Sequence, residues 1–200
     1  MSVPGRSRIG ALTDTHTVLV LPGYEDSDEP HWQTRWEALN PAFTRVQMPD
    51  WMHPDRDAWC RTLDAAVAAC APTRPVLFAA HSLGCLTVVF WAAQYASDAQ
   101  RARVAGALLV ALPDPDGGAF PADASGFEPV PMSRLPFASI VVGSTNDAYG
   151  GVAFSERCAD AWGSRRVDVG ARGHINGESG LADWEEGQSL LVSLAQARGA

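Results

Sequence analysis

The chain has 200 residues, 46% of them hydrophobic, and a formal net charge of −8. That suits one globular domain burying roughly 70% of its unfolded surface. All 15 basic residues are Arg, scattered apart from the short pairs Arg101/Arg103 and Arg165/Arg166, so there is no basic face to neutralise phosphates and nucleic acid is not an expected partner.

Short β-type runs alternate with longer helical ones, which predicts an α/β domain whose mostly parallel sheet carries helices on both faces. Residues 1–15 read as a flexible tail and 16–200 as the domain. A buried strand at 17–21 ends at Pro22-Gly23, a helix follows over 28–40, and a strand over 43–48 stops at Pro49-Asp50. Within 55–71, Trp59, Leu63, Val67 and Cys70 fall three or four residues apart, on one helical face. The run 75–80 is a nearly unbroken apolar strand, as burial of both faces requires. A largely apolar helix over 83–95 comes next, then strands at 104–112 and 137–143. A helix over 153–162, a strand at 165–169 and a closing helix over 181–198 complete the chain.

Cys60, Cys70, Cys85 and Cys158 show no CxxC spacing, which favours buried thiols in a reducing cytoplasm over a zinc or redox site. The apolar stretch after Arg6 and Arg8 is too short for a secretory signal. The longest apolar run, 104–112, is about half a transmembrane helix, so no membrane association is expected. Between the strands at 104–112 and 137–143 lie 24 residues with six Pro and three Gly. A loop of that length inside a compact domain is commonly functional, and 113–136 is expected to wall a pocket.

Ala80-His81-Ser82-Leu83-Gly84 sits between an apolar strand and a helix, the setting of a G-x-S-x-G nucleophile elbow. Ala80 replaces the first Gly and remains small. Ser82 is therefore the candidate nucleophile. His81 points away from it at so sharp a turn and takes a structural or pocket-edge role. A serine hydroxyl needs a general base, and an imidazole with an ordinary pKa of about 6.5 suits neutral pH. Among the five histidines only His174 follows Ser82 at a distance, in the glycine-flanked stretch 170–176. The acid should follow a strand after the nucleophile helix. Asp147, just beyond the 137–143 strand, is preferred to Asp114, which lies in the Pro/Gly-rich loop. Oxyanion stabilisation needs two backbone N–H groups. Leu83 supplies one, and Tyr24 is the candidate for the other, Gly23 permitting the close approach.

With these residues assembled, the chain resembles the retinoblastoma-binding-protein-type, YdeN-like small serine hydrolases of the α/β-hydrolase superfamily, over about residues 17–190. The resemblance rests on LPGYEDSDEPHWQTRW (21–36), MPDWMHPDRDAW (48–59), AAHSLGCL (79–86), FEPVPMSRLPFASIVVGSTNDAYGG (127–151) and ARGHINGESGLADWEEG (171–187). It implies a compact α/β-hydrolase fold over 16–200 without a large cap, a triad of Ser82, Asp147 and His174, and hydrolysis of an ester or small amide. The L-x-C-x-E partner motif of the mammalian member is not matched, because Thr87 stands where its acid would be. His31, Trp32, Trp51 and Trp59 match the family's aromatic positions. With Gly23 and Phe127 they are the candidate pocket residues, although core packing is the favoured reading for Trp51 and Trp59. No phosphate loop or metal-spaced carboxylate cluster appears, so no cofactor is expected. Two other functions remain open at this level: a non-catalytic interaction protein that keeps the elbow as architecture, and an acyl or peptidyl transferase using the same triad.

Overall fold

A computed structural model describes residues 8–196, and all structural statements concern those residues. Its strands are Thr17–Leu21 (β1), Thr44–Arg45 (β2), Val76–His81 (β3), Val104–Val110 (β4), Ser139–Gly143 (β5) and Arg165–Asp168 (β6). The helices are Arg8–Thr15 (α1), Trp32–Leu39 (α2), Arg56–Ala69 (α3), Leu83–Phe90 (α4), Asp98–Arg103 (α5), Val152–Trp162 (α6) and Glu185–Gln196 (α7). All strand pairings are parallel, and the sheet order is β2-β1-β3-β4-β5-β6.

Successive side chains on a strand face opposite ways, so the apolar strands feed two cores. Leu19, Leu21, Phe78, Ala80, Leu109 and Val141 pack under α3, α4 and α6. Their neighbours Val18, Val20, Leu77, Ala79, Leu108 and Val142 pack under α1, α2 and α7. Burial on both faces explains why β3 is apolar up to its last residue, His81, and β4 is apolar throughout. The edges are guarded differently: β2 is two residues long and β6 carries Arg165 and Arg166.

Several boundaries differ from expectation, each for a local reason. The expected tail is helical over α1, where Ile9 and Leu12 are buried in the second core; residues 1–7 lie outside those described. The strand at 43–48 shortens to β2, because the chain leaves β1 after Val46 N–H reaches the Val20 carbonyl and carries Met48 into the first core. Helix α2 begins at Trp32 rather than at 28, capped by the His31 ring, which accepts from Gln33 N–H. The helix over 83–95 widens into a π-helical turn over Trp91–Tyr95. Helix α5 was not expected, although Ser97 and Gln100 form a capping box, a signature readable from S-x-x-Q. The closing helix starts at Glu185, and residues 197–198 of its expected span lie outside those described.

The sheet order reverses between β1 and β3: β2 lies on one side of β1 and β3 on the other. Ligands of open parallel sheets bind beyond the carboxyl ends of the strands at such a switch point. Here the start of α4 presses on the end of β1. A Cβ on Gly84 would lie 2.6 Å from the Pro22 carbonyl oxygen and closer still to that of Leu21, so the helix seats only with glycine there. Gly84→Ala should lower stability by more than about 2 kcal/mol. Gly118→Ala, whose Cβ would meet nothing within 4 Å, should stay within about 0.5 kcal/mol. Thermal and urea unfolding of both variants checks this, and equal midpoints would contradict it.

Candidate active site

Ser82 is the single residue between β3 and α4 and has φ 53° and ψ −125°, a conformation that costs a side-chain-bearing residue about 1–3 kcal/mol. The turn is stitched to its neighbour strand, since Ser82 N–H donates to the Val110 carbonyl at 2.9 Å. The Ser82 hydroxyl caps nothing in its own helix. It lies 2.9 Å from His174 Nε2, and His174 Nδ1 lies 2.9 and 3.0 Å from the two Asp147 carboxylate oxygens. A carboxylate only accepts, so Nδ1 carries the proton and Nε2 presents its lone pair to the serine. The Asp147 side chain is 1% exposed and that of His174 11%.

The expected residues therefore meet, although Asp147 and His174 come from separate loops. Asp147 follows β5, and its carboxylate also accepts Tyr149 N–H at 2.9 Å. His174 follows β6. Asp114, the alternative acid, instead accepts Asp116 N–H at 3.1 Å and makes no contact with His174 among the described residues. Cys85, one turn into α4, is wholly buried, and burial pushes its thiol far up, so it is inert.

Gly23 allows the β1 loop to close on the serine, because a Cβ there would lie 2.6 Å from Ser82 Cβ and 3.1 Å from its Oγ. Beside it, the N–H groups of Tyr24 and Leu83 have no acceptor among the described residues. The loop bearing Tyr24 is itself strained, with Glu25 and Asp26 at φ 62° and 65°. Two residues not singled out from the sequence hold it. Arg45 reaches Asp26 at 2.9 Å, the Ser27 carbonyl at 3.2 Å and Thr34 at 2.6 Å, and pairs with Glu37. Gln33, wholly buried, donates to the carbonyls of Leu21 and Ala79 at 3.0 and 2.9 Å and accepts from Ser27 at 2.6 Å. A glutamine between Trp32 and Trp36 in a helix was the available signal.

Most of the candidate pocket aromatics belong to the cores, which for Trp51 and Trp59 was the favoured reading. Trp59 and Phe127 are fully buried against each other, ring centroids 6.2 Å apart, and burial of such side chains stabilises by about 1.5–3 kcal/mol each. Trp51, half-buried, packs edge-on against Trp59 at 5.5 Å. Trp32 is buried and donates its indole N–H to the Ile175 carbonyl at 2.9 Å, so it anchors the loop that bears His174. His31 is buried as the α2 cap. The 113–136 segment is docked as a strap, through Ser125 N–H to the Pro54 carbonyl at 2.8 Å and Leu135 N–H to that of Trp162 at 3.0 Å. The opening beside the base is a groove of about 480 Å³ lined by Asn146, Tyr149, Arg172, His174, Asn176 and Glu178.

A serine hydrolase family model matches residues 18–193. The chain belongs to the serine hydrolase family. Among solved structures, this serine hydrolase is similar to a protein described as a YdeN-like hydrolase from Pectobacterium atrosepticum, at 30% identity and TM-score 0.82, covering 95% of this chain and 96% of that one. It is also similar to the ydeN gene product of Bacillus subtilis, at 19% identity and TM-score 0.68, covering 90% and 98%. A third likeness is to a thermophilic esterase from Thermogutta terrifontis, at 17% identity and TM-score 0.63, covering 92% and 91%. No curated protein matched by sequence. Among the described residues, no helix is long and apolar enough to cross a membrane.

Burial, then the nearby charges of Arg45 and His174, lowers the His31 pKa from 6.5 to about 3. Because the unfolded chain binds this proton and the folded one does not, the contribution of His31 to stability is whole above about pH 6.5. It is lost at about 1.4 kcal/mol per pH unit as the pH falls toward 3. His31→Asn keeps a capping oxygen and removes the titration. The variant should therefore show a shallower fall of urea-unfolding free energy between about pH 6 and pH 4 than the wild type. An identical slope would contradict the assignment.

Proposed function

We propose that this serine hydrolase cleaves a carboxylic ester or amide of a small molecule through an acyl-enzyme on Ser82. The observation that carries the reading is the continuous hydrogen-bonded chain Ser82 Oγ, His174 Nε2, His174 Nδ1, Asp147, with the serine held in a left-handed turn. In this reading His174 Nε2 takes the hydroxyl proton as Oγ attacks the substrate carbonyl. The Tyr24 and Leu83 N–H groups, otherwise without acceptors, receive the oxyanion. The imidazolium, balanced by the buried Asp147 carboxylate, then protonates the leaving alcohol or amine. Water repeats the sequence to release the acid. A non-catalytic role would leave the positive φ of Ser82 and the three-residue alignment without a use.

The polar groove beside His174 is on the side of the residue that protonates the leaving group. Fluorophosphonate labelling and hydrolysis of p-nitrophenyl acetate test the reading. Ser82→Ala should abolish both while shifting the thermal midpoint by only a few degrees. Asp147→Asn preserves shape but removes the charge and permits the wrong tautomer, a change that costs about 10⁴-fold in kcat in the well-studied protease case. It should fall by several orders of magnitude, while Asp114→Asn stays within roughly tenfold of wild type. Undiminished labelling of Ser82→Ala would sink the proposal.

A further inference from the structure

The loop bearing His174 cannot hold its shape unaided. Gly170, Gly173 and Ile175 have φ of 73°, 58° and 50°, and for β-branched Ile175 that conformation is an outlier. Its main chain is held from outside. Thr145 N–H donates to the Gly170 carbonyl at 3.0 Å, and Ser144 and Asn146 accept from Arg172 and Gly173 N–H at 2.9 and 2.7 Å. Those anchors come from the loop of the acid. Another comes from the residue next to the nucleophile: His81 Nε2 lies 2.8 Å from the His174 carbonyl oxygen. A carbonyl only accepts, so His81 carries its proton on Nε2.

We propose that His81 is a positioning residue that sets the distance between Ser82 and His174. The inference rests on the catalytic reading above. One peptide bond joins His81 to Ser82 and one hydrogen bond joins it to the main chain of His174, so the elbow and the base loop share a strut. Displacing the His174 backbone by about 1 Å would carry its ring with it, and a 2.9 Å contact with Ser82 would no longer be a hydrogen bond. The strut has no room to swing. His81 is 5% exposed, with the His174 ring edge-on at 4.8 Å and the His31 ring at 4.6 Å. His31 is fixed in turn, its Nδ1 accepting Gln33 N–H at 3.1 Å. Its Nε2 is buried without a hydrogen-bond partner among the described residues, so its contact with His81 is one of ring packing. Burial, then His31 and His174, hold the His81 pKa well below its ordinary value, so the strut stays a neutral donor when His174 becomes charged.

The test compares two amides of different reach. In His81→Gln the side-chain N–H can extend to where the imidazole Nε2 sits; in His81→Asn it falls one methylene short. Both bury similar polarity, so a merely structural role would move them together. With p-nitrophenyl acetate, His81→Gln should keep kcat within about threefold of wild type, and His81→Asn should lose roughly 10- to 100-fold in kcat with KM nearly unchanged. Equal kcat values in the two folded variants, whether high or low, would overturn the proposal. The low-field proton resonance of His174 Nδ1–H reads the same geometry without turnover. It should persist in wild type and His81→Gln and broaden or vanish in His81→Asn, and its persistence in all three would also overturn the strut. If the wild type neither turns over ester nor reacts with fluorophosphonate, the catalytic reading fails, and the resonance alone then decides the role of His81.

Discussion

At the carboxyl end of β3 the chain passes from strand to helix within one residue, and Ser82 adopts φ 53° to make that turn. This is possible only because two neighbours lack side chains. Gly84 lets α4 press on the last carbonyls of β1, and Gly23 lets the β1 loop close on Ser82 itself. With those approaches made, the start of α4 and the end of β1 lie side by side. The N–H groups of Leu83 and Tyr24, without acceptors among the described residues, then lie on neighbouring segments. The rest of the site is arranged around this crossing: Asp147 follows β5, His174 follows β6, and both reach back toward β3 across β4.

The two cores make the crossing rigid. Helix α4 is buried along its whole length and rests on the same sheet face as α3 and α6. On the opposite face, Trp32, Trp36 and Trp184 form a contiguous aromatic group, with ring centroids between 4.6 and 6.0 Å. Its members reach the site by hydrogen bonds as well as by packing. Trp32 holds the Ile175 carbonyl, and Trp36 holds that of Asp183 at 2.7 Å. Gln33, between them, ties together the ends of β1 and β3. Helix α2 is therefore the element through which the second core positions both the loop bearing Tyr24 and the loop bearing His174.

Much of this was legible in the sequence where a residue type has one strong physical use. The unbroken apolar runs at β3 and β4 require burial on both faces, and the small residues around Ser82 suit a strained elbow. His174 alone among the histidines follows Ser82 at a distance. What was not legible depended on long-range geometry. A tryptophan in a motif can line a pocket or fill a core with equal propriety, and only packing shows that Trp59 and Phe127 are buried against each other. Arg45 looks like an ordinary strand arginine until Asp26, Thr34 and Glu37 converge on it. By composition the loop at 113–136 pointed to a pocket wall. Its backbone is nonetheless paired with the segment before α3 and with the end of α6, partners that periodicity cannot reveal.

The distribution of backbone strain links these observations. Of the seven non-glycine residues with positive φ among the described residues, five, namely Glu25, Asp26, Ser82, Ala111 and Ile175, lie in the loops that follow the carboxyl ends of strands. Each such residue costs of order 1–3 kcal/mol where it is disfavoured, and a domain of this kind has only about 5–15 kcal/mol of net stability. Strain on that scale survives only where surrounding contacts over-determine it. Those contacts are identifiable: Arg45 for the 24–27 loop, the Val110 carbonyl for Ser82, and Trp32 and His81 for the residues around Ile175. None of these groups is a member of the hydrogen-bonded Ser82–His174–Asp147 chain, yet each fixes a main-chain segment from which a member or an N–H donor projects. The separation of tasks has a physical basis. On the proposed mechanism a reacting side chain changes its hydrogen bonds during a turnover, whereas the groups that hold its backbone keep theirs. The strained conformations are thus maintained by interactions that such chemistry would not disturb.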